Sequence, residues 1–201
     1  MNVEIFFRGF FIFACSALAL CNCEKRPASQ TGFTKADSLT ETYLALQDTM
    51  LQSWNTMIYD DNRKIKTMRY LLHELSVSDP EKRDELKTYE GRVDELVHMR
   101  YDQHSMSNSE MVSEYDFASN SLVTELISLA EAQGEFANNT TLQKLVDSIR
   151  AADQRVNNYR EEYDVIASRF NRFIERNKGM LNEFDKDSFL EKKPLFQMAA
   201  E

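Results

Sequence analysis

Glu95 and His98 are spaced so that, on a helix, a carboxylate and an imidazole project from one face a single turn apart. That is how di-iron carboxylate bundles ligate metal, through two Glu-x-x-His pairs and two further glutamates. The other histidines, His73 and His104, are preceded three residues earlier by Tyr70 and Tyr101. Half a centre does not bind two metals, so Glu95 and His98 are expected to be a solvated pair. The chain contains no Gly-x-x-x-x-Gly-Lys loop, Gly-x-Gly-x-x-Gly turn, Gly-x-Ser-x-Gly elbow or His-Glu-x-x-His pair. A nucleophilic serine would need a base held beside it, and no local pattern supplies one. No catalytic residue, metal ligand or cofactor is therefore expected.

The elements behind these residues are helical by composition. Glycine (5) and proline (3) are scarce, which suits a few long helices and not a sheet with many tight turns. Start signals predict four helices. Ser38-x-x-Glu41, Ser107-x-x-Glu110 and Thr140-x-x-Gln143 match the capping box, and Asp79-Pro80 places an aspartate cap before a proline at the first helical position.

Apolar residues then recur at steps of three and four. The first helix carries Leu39, Tyr43, Leu46, Met50, Trp54, Met57, Ile65, Met68, Leu72 and Leu75, with a gap near Asp61. The second carries Leu86, Tyr89, Val93 and Leu96. The third carries Met111, Tyr115, Ala118, Leu122, Leu126 and Leu129 and is expected to end near Gly134. In the fourth, Leu142, Leu145, Ile149, Ala152, Val156, Tyr159, Tyr163, Ile166, Phe170 and Phe173 keep a strict 3.5-residue period, with Gly179 as the stop. The expectation is an all-α fold, an elongated antiparallel up-and-down four-helix bundle whose first and fourth helices are longest. Residues 38–179 form that bundle, and the aromatic tail 180–201 docks on it.

The N-terminus reads as an address. Gly9–Leu20 is uncharged and mostly apolar, too short for a bilayer span of about 20 residues but suited to a signal-peptide core. Leu18-Ala19-Leu20-Cys21-Asn22-Cys23 then resembles a bacterial lipobox. Cys23 is the expected lipid attachment site, with Cys21 the alternative; an ordinary cleaved signal or an uncleaved anchor over Ile5–Cys23 remains open. Two acyl chains suffice for stable attachment. Residues 1–23 are thus signal and lipobox, and 24–37 are a tether. The three cysteines, Cys15 among them, all lie before residue 24, so the domain beyond has no disulfide and no thiolate metal site. Lys+Arg number 24 against 33 Asp+Glu, a net charge of -9, and no basic run offsets it; nucleic-acid binding is not expected.

Arg160-x-x-Tyr163-Asp164-x5-Phe170-Asn171-x-x-Ile174, with Val156 before it, resembles the Arg-x-x-Tyr-Asn-x5-Tyr-Asn-x-x-Ile stretch of the LemA family. Phe189–Phe196 is similar to that family's Phe-rich closing tail, and Tyr43, Trp54 and Arg63 fall where the family has tyrosine, tryptophan and arginine. The family's Asp-Leu-Ile-Pro-Asn-Leu segment is absent after Arg63, where the chain reads Lys66-Thr67-Met68-Arg69-Tyr70-Leu71, and so is the proline after the fourth helix. The resemblance covers the two long helices and the tail. It implies a long-helix bundle and a membrane address, and no reaction.

Two functions follow as expectations. The first is a non-enzymatic, LemA-like lipoprotein of the bacterial envelope, membrane-anchored and facing the periplasm or exterior, that contacts an unidentified protein partner. The second is a helical bundle that binds a ligand or metal. That would need inward polar groups, and Asp61 on the first helix's stripe is the clear candidate; a buried carboxylate must be paired, near water or at a ligand.

Overall fold

The computed structural model of the chain describes residues 34–184 and 190–196. The leader, Cys15, Cys21 and Cys23, and the tether up to Phe33 lie outside them, as does Phe189 of the tail. Among the described residues there are four α-helices and no strand: α1 Lys35–Ser78, α2 Arg83–His98, α3 Ser109–Glu131 and α4 Thr140–Phe184. They run for 44, 16, 23 and 45 residues, so the first and last are the longest. Single 3-10 turns at Pro80–Lys82, Ser105–Ser107 and Phe136–Asn138 precede α2, α3 and α4.

The helix ends sit close to the predicted signals but use different atoms. α1 begins at Lys35, so Lys35, Ala36 and Asp37, expected in the tether, are helical. Asp79-Pro80 opens the 3-10 turn instead of α2, and the Asp79 side chain makes no capping bond. α3 is capped by Asn108 and not by Ser107: the Asn108 backbone is extended, and its Oδ1 accepts from the Glu110 and Met111 N–H groups at 3.0 and 3.4 Å. Asn139 does the same before α4, accepting from Thr141 and Leu142 N–H at 3.1 Å each. Gln143 turns to the Phe136 and Ala137 carbonyls, closing the preceding turn. At both sites the asparagine Oδ1 accepts from the second and third N–H groups of the helix, which needs no partner residue.

α3 stops at Glu131, ahead of Gly134, whereas α4 passes straight through Gly179. No glycine among the described residues takes a positive φ, so Gly179 does not form the left-handed stop. Buried Ile174 and Leu181 on either side hold the helix together there.

All four helices contribute to one apolar core. The predicted α1 positions are all buried or half-buried. On α4 the stripe is wider than a 3.5-residue repeat: Leu142, Ile149, Tyr163 and Phe170 are buried as expected, but Leu145, Val156, Tyr159, Ile166 and Phe173 are half-exposed. Val146, Ala167 and Ile174 are fully buried instead. The cause is that α4 meets neighbours on more than one side. Its rings reach α1 through Phe170–Tyr43 and Tyr163–Trp54, each 5.6 Å between centroids, and its arginines reach α3 through Arg150–Glu131 and Arg160–Asp116. A two-sided contact needs a broader buried arc than a single seam. The tail also docks: Leu190, Leu195 and Phe196 pack against the core. No helix among the described residues is long and apolar enough to cross a membrane.

Candidate functional site

The α1 stripe changes character after Met57. Asp60, Asp61 and Lys64 fill the next two turns on the inward face, and Ile65 and Met68 resume the apolar run. Lys64 is only 3 % exposed, so its ammonium must be compensated inside the protein. It donates to Ser119 Oγ of α3 at 2.8 Å and lies 3.4 Å from Asp153 of α4 and 3.6 Å from Asp61. One side chain thus ties three helices together.

Around it the other charges are matched in pairs. Arg155 of α4 donates to both oxygens of buried Asp60, at 3.0 and 2.8 Å. Arg160 donates to both oxygens of Asp116 on α3 and to the Tyr101 hydroxyl in the α2–α3 connection. Asp61 accepts from the Tyr115 hydroxyl. Arg100 Nη2 lies 2.8 Å from Asp61, close enough for the charges to attract, but neither this group nor Nε aligns an N–H with an acceptor. Arg160 Nε is likewise without one. A cavity of about 220 Å³ lies inside this ring, bounded by Asp61, Lys64, Tyr115, Ser119, Asp153 and Arg160 among others.

The electrostatics follow from burial and pairing. Burial, and then the charge of Asp61, pushes the Tyr115 hydroxyl well above its ordinary range, so it serves as a donor. Burial raises Tyr101 too, against the pull of Arg160. Burial opposes the charge on Arg160, but the Asp116 carboxylate and the Tyr101 hydroxyl together outweigh it and the guanidinium pKa ends up raised. These carboxylates face cations or donors at short range. The arrangement fixes which helix face meets which, and it leaves room for a small polar molecule.

Beside the ring lies a second constellation, also built largely by α4. Phe196 of the tail inserts its ring among Trp54, Tyr101 and Tyr163, stacking on Trp54 (centroids 6.4 Å apart, planes at 9°) and meeting the other two edge-on. The Arg160 guanidinium caps the same ring at 4.9 Å. The Phe196 N–H donates to Asp164 at 2.9 Å. Three residues earlier, the Asn171 amide brackets Lys193, donating to its carbonyl at 2.8 Å and accepting from its N–H at 2.7 Å.

Of the residues singled out in the sequence, Glu95 and His98 are both exposed on α2, and His73 and His104 are exposed elsewhere. Among the described residues no three His, Cys, Asp or Glu side chains gather as a metal site would require. Cys21 and Cys23 lie outside the described residues. Asp61 is inward and paired, but it is not alone: Asp60, Lys64, Asp153 and Arg155 join it, and the sequence reading missed them. The signal was present for Lys64, which continues the stripe Met57, Asp60, Lys64, Met68 at helical steps. Its partners on other helices have no local signature. Compared with family models, curated proteins and solved structures, the chain finds no match in any of the three.

Proposed function

We propose that this chain is a lipid-anchored, LemA-like helical bundle of the bacterial envelope that acts through protein contact and not through catalysis. One observation carries the reading. Arg160, Tyr163, Asp164, Phe170, Asn171 and Ile174, the residues of the resemblance, work as a unit: four of them hold the tail, while Phe170 and Ile174 lie buried in the core beside them. A motif whose members build a seat for a peptide segment fits recognition better than reaction. The topology we favour is up-and-down and antiparallel. Supporting it, contacts run in opposite order along the two long helices: Tyr43 meets Phe170, Trp54 meets Tyr163, Asp60 meets Arg155 and Lys64 meets Asp153.

The anchor is tested by feeding a clickable fatty acid to cells that express the full chain. Label in the membrane fraction should vanish in Cys23→Ser, or in Cys21→Ser if that residue is used. Label that persists in both variants, or none at all, removes the lipoprotein from the reading.

A second reading, a bundle that binds a small polar ligand, is favoured by the charged cavity and by the N–H groups of Arg100 and Arg160 that lack aligned acceptors. Asp61→Leu separates the two. If Asp61 only cements the helices, its loss strands Arg100 and lowers stability. A rise in stability without ligand would mark a site strained for binding.

A further inference from the structure

The seat that holds the tail belongs to other parts of the molecule. Asn171, Asp164, Arg160 and Tyr163 stand on α4, Trp54 on α1 and Tyr101 in the α2–α3 connection. What they read is short. Asn171 grips a main-chain N–H and carbonyl at Lys193, Asp164 takes the main-chain N–H at Phe196, and the socket takes one ring. The Lys192–Glu175 pair, 3.5 Å apart, has both side chains more than 60 % exposed and adds little discrimination. Recognition of main chain at fixed spacing plus one aromatic anchor is how grooves bind extended peptides. Pro194, between the two gripped positions, favours the extended conformation in advance and lowers the ordering cost. None of these contacts requires that the segment belong to the same chain.

We propose that the seat is a peptide groove which accepts Leu190–Phe196 of a second copy of this chain, so that copies on one membrane can be joined by exchange of tails. The second copy is the occupant to which the structure points because it carries the one sequence seen in the groove. Exchange remakes every hydrogen bond and ring contact of the closed form, the low-cost route to association that swapped segments provide. Within one chain the local concentration of the tail is on the order of millimolar, so dilute protein closes on itself. Crowding in the plane of a membrane favours exchange. This deepens the contact reading above by naming the partner, and it rests on that reading.

Trp54, the protein's single tryptophan, is stacked on Phe196 and reports occupancy directly. The experiment mixes two full-length chains. Phe196→Ala supplies an empty seat with a fluorescent Trp54, and Trp54→Phe supplies an intact tail with no tryptophan of its own. Mixing should shift the Trp54 emission saturably and yield a one-to-one complex. Both signals should disappear when Asn171→Ala is added to the Phe196→Ala chain. A synthetic Leu190–Phe196 peptide should give the same shift with Phe196→Ala, and at least tenfold weaker apparent binding with the unaltered chain. A mixture that behaves as the sum of its parts, with both chains still helical, overturns the proposal.

Should Phe196→Ala fail to fold, hydrogen exchange on the unaltered chain decides. The Lys193 and Phe196 amides must exchange faster than the core amides of α1 and α4. If they exchange only with the core, the tail is cement and the proposal falls. Absence of exchange with fatty-acid labelling intact leaves the anchored contact protein standing; loss of label with exchange intact removes the anchor alone.

Discussion

Two stretches of the same helix, α1, are built on opposite terms. From Ile65 to Leu75, α1 contributes Met68, Leu71, Leu72 and Leu75, all at most 1 % exposed, to the apolar core that it shares with Leu86, Val93 and Leu96 of α2. From Trp54 to Lys64 it presents an indole, two aspartates and a lysine to the arginines, tyrosines and tail gathered by α4. The apolar stretch is held by burial, about 25 cal/mol per Å² removed from water, and tolerates any partner of similar volume. The charged stretch gains little net free energy, because desolvation offsets the attraction, but a slip of one residue would strand a buried ion. Stability resides in the first stretch and register in the second.

The sharpest way to break the comparison is at Asp60 and Arg155. Asp60 is 8 % exposed at its side chain and Arg155 is 39 % exposed, so the two are not equivalent. Arg155→Met leaves a carboxylate buried without its partner and should cost about 3–5 kcal/mol. Asp60→Leu leaves a guanidinium that reaches water and should cost well under half as much. The double variant should recover most of the loss. Denaturant unfolding of the three variants checks this; equal single-variant losses would show that the site is wetter than its burial indicates.

Leu72→Ala should cost about 3 kcal/mol through transfer and cavity terms. Combined with Asp60→Leu it should add without coupling, since no group is shared. Coupling above about 0.5 kcal/mol would mean that the two stretches are one unit.

Tyr163 sharpens the contrast by pH. Its ring is fully buried, its hydroxyl has no hydrogen-bond partner, and burial, aided by the charge of Asp164, pushes its pKa up to about 12. A pKa raised above the unfolded value of 10 means that the neutral hydroxyl is favoured in the folded state. Its contribution is therefore complete below pH 10 and is lost as pH rises through about 12. Tyr163→Phe should remove that part of the alkaline loss and gain about 1 kcal/mol at neutral pH by deleting an unsatisfied group.

At acid pH one responding group is Glu125 of α3. Hydrogen bonds from Arg92 hold its pKa down near 2, against burial and helped by Ser121. A depressed carboxylate stabilises above its unfolded pKa near 4.5 and loses that effect as pH falls toward 2. The pair is more than a third exposed, so water screens it and the effect should stay below about 1 kcal/mol. Glu125→Gln compared with the unaltered protein between pH 5 and pH 2 measures it.

Helix number, order and most of the core were legible because apolar periodicity is a local property. Met50, Leu72, Leu126 and Ile149 announce their burial by spacing alone. The charged ring was hidden for the converse reason. Asp116 and Arg160 are ordinary exposed-type residues until two helices bring them together across 44 positions of sequence. The asparagine caps were missed because serine and threonine lay one residue away and matched a commoner pattern. The docking of residues 190–196 was legible from Leu195 and Phe196, but the Asn171 clamp was not, since an asparagine on a helix has no distinctive neighbour requirement.

The passage of α4 through Gly179 has a thermal consequence. Gly91 in α2 and Gly179 both have ordinary helical backbones, and a methyl group at either would meet nothing within 4 Å. Each glycine lets the denatured chain wander more freely without easing any turn in the folded one. Alanine at both positions should raise the melting temperature by several degrees, at about 0.5–1 kcal/mol each, while leaving every contact between helices untouched.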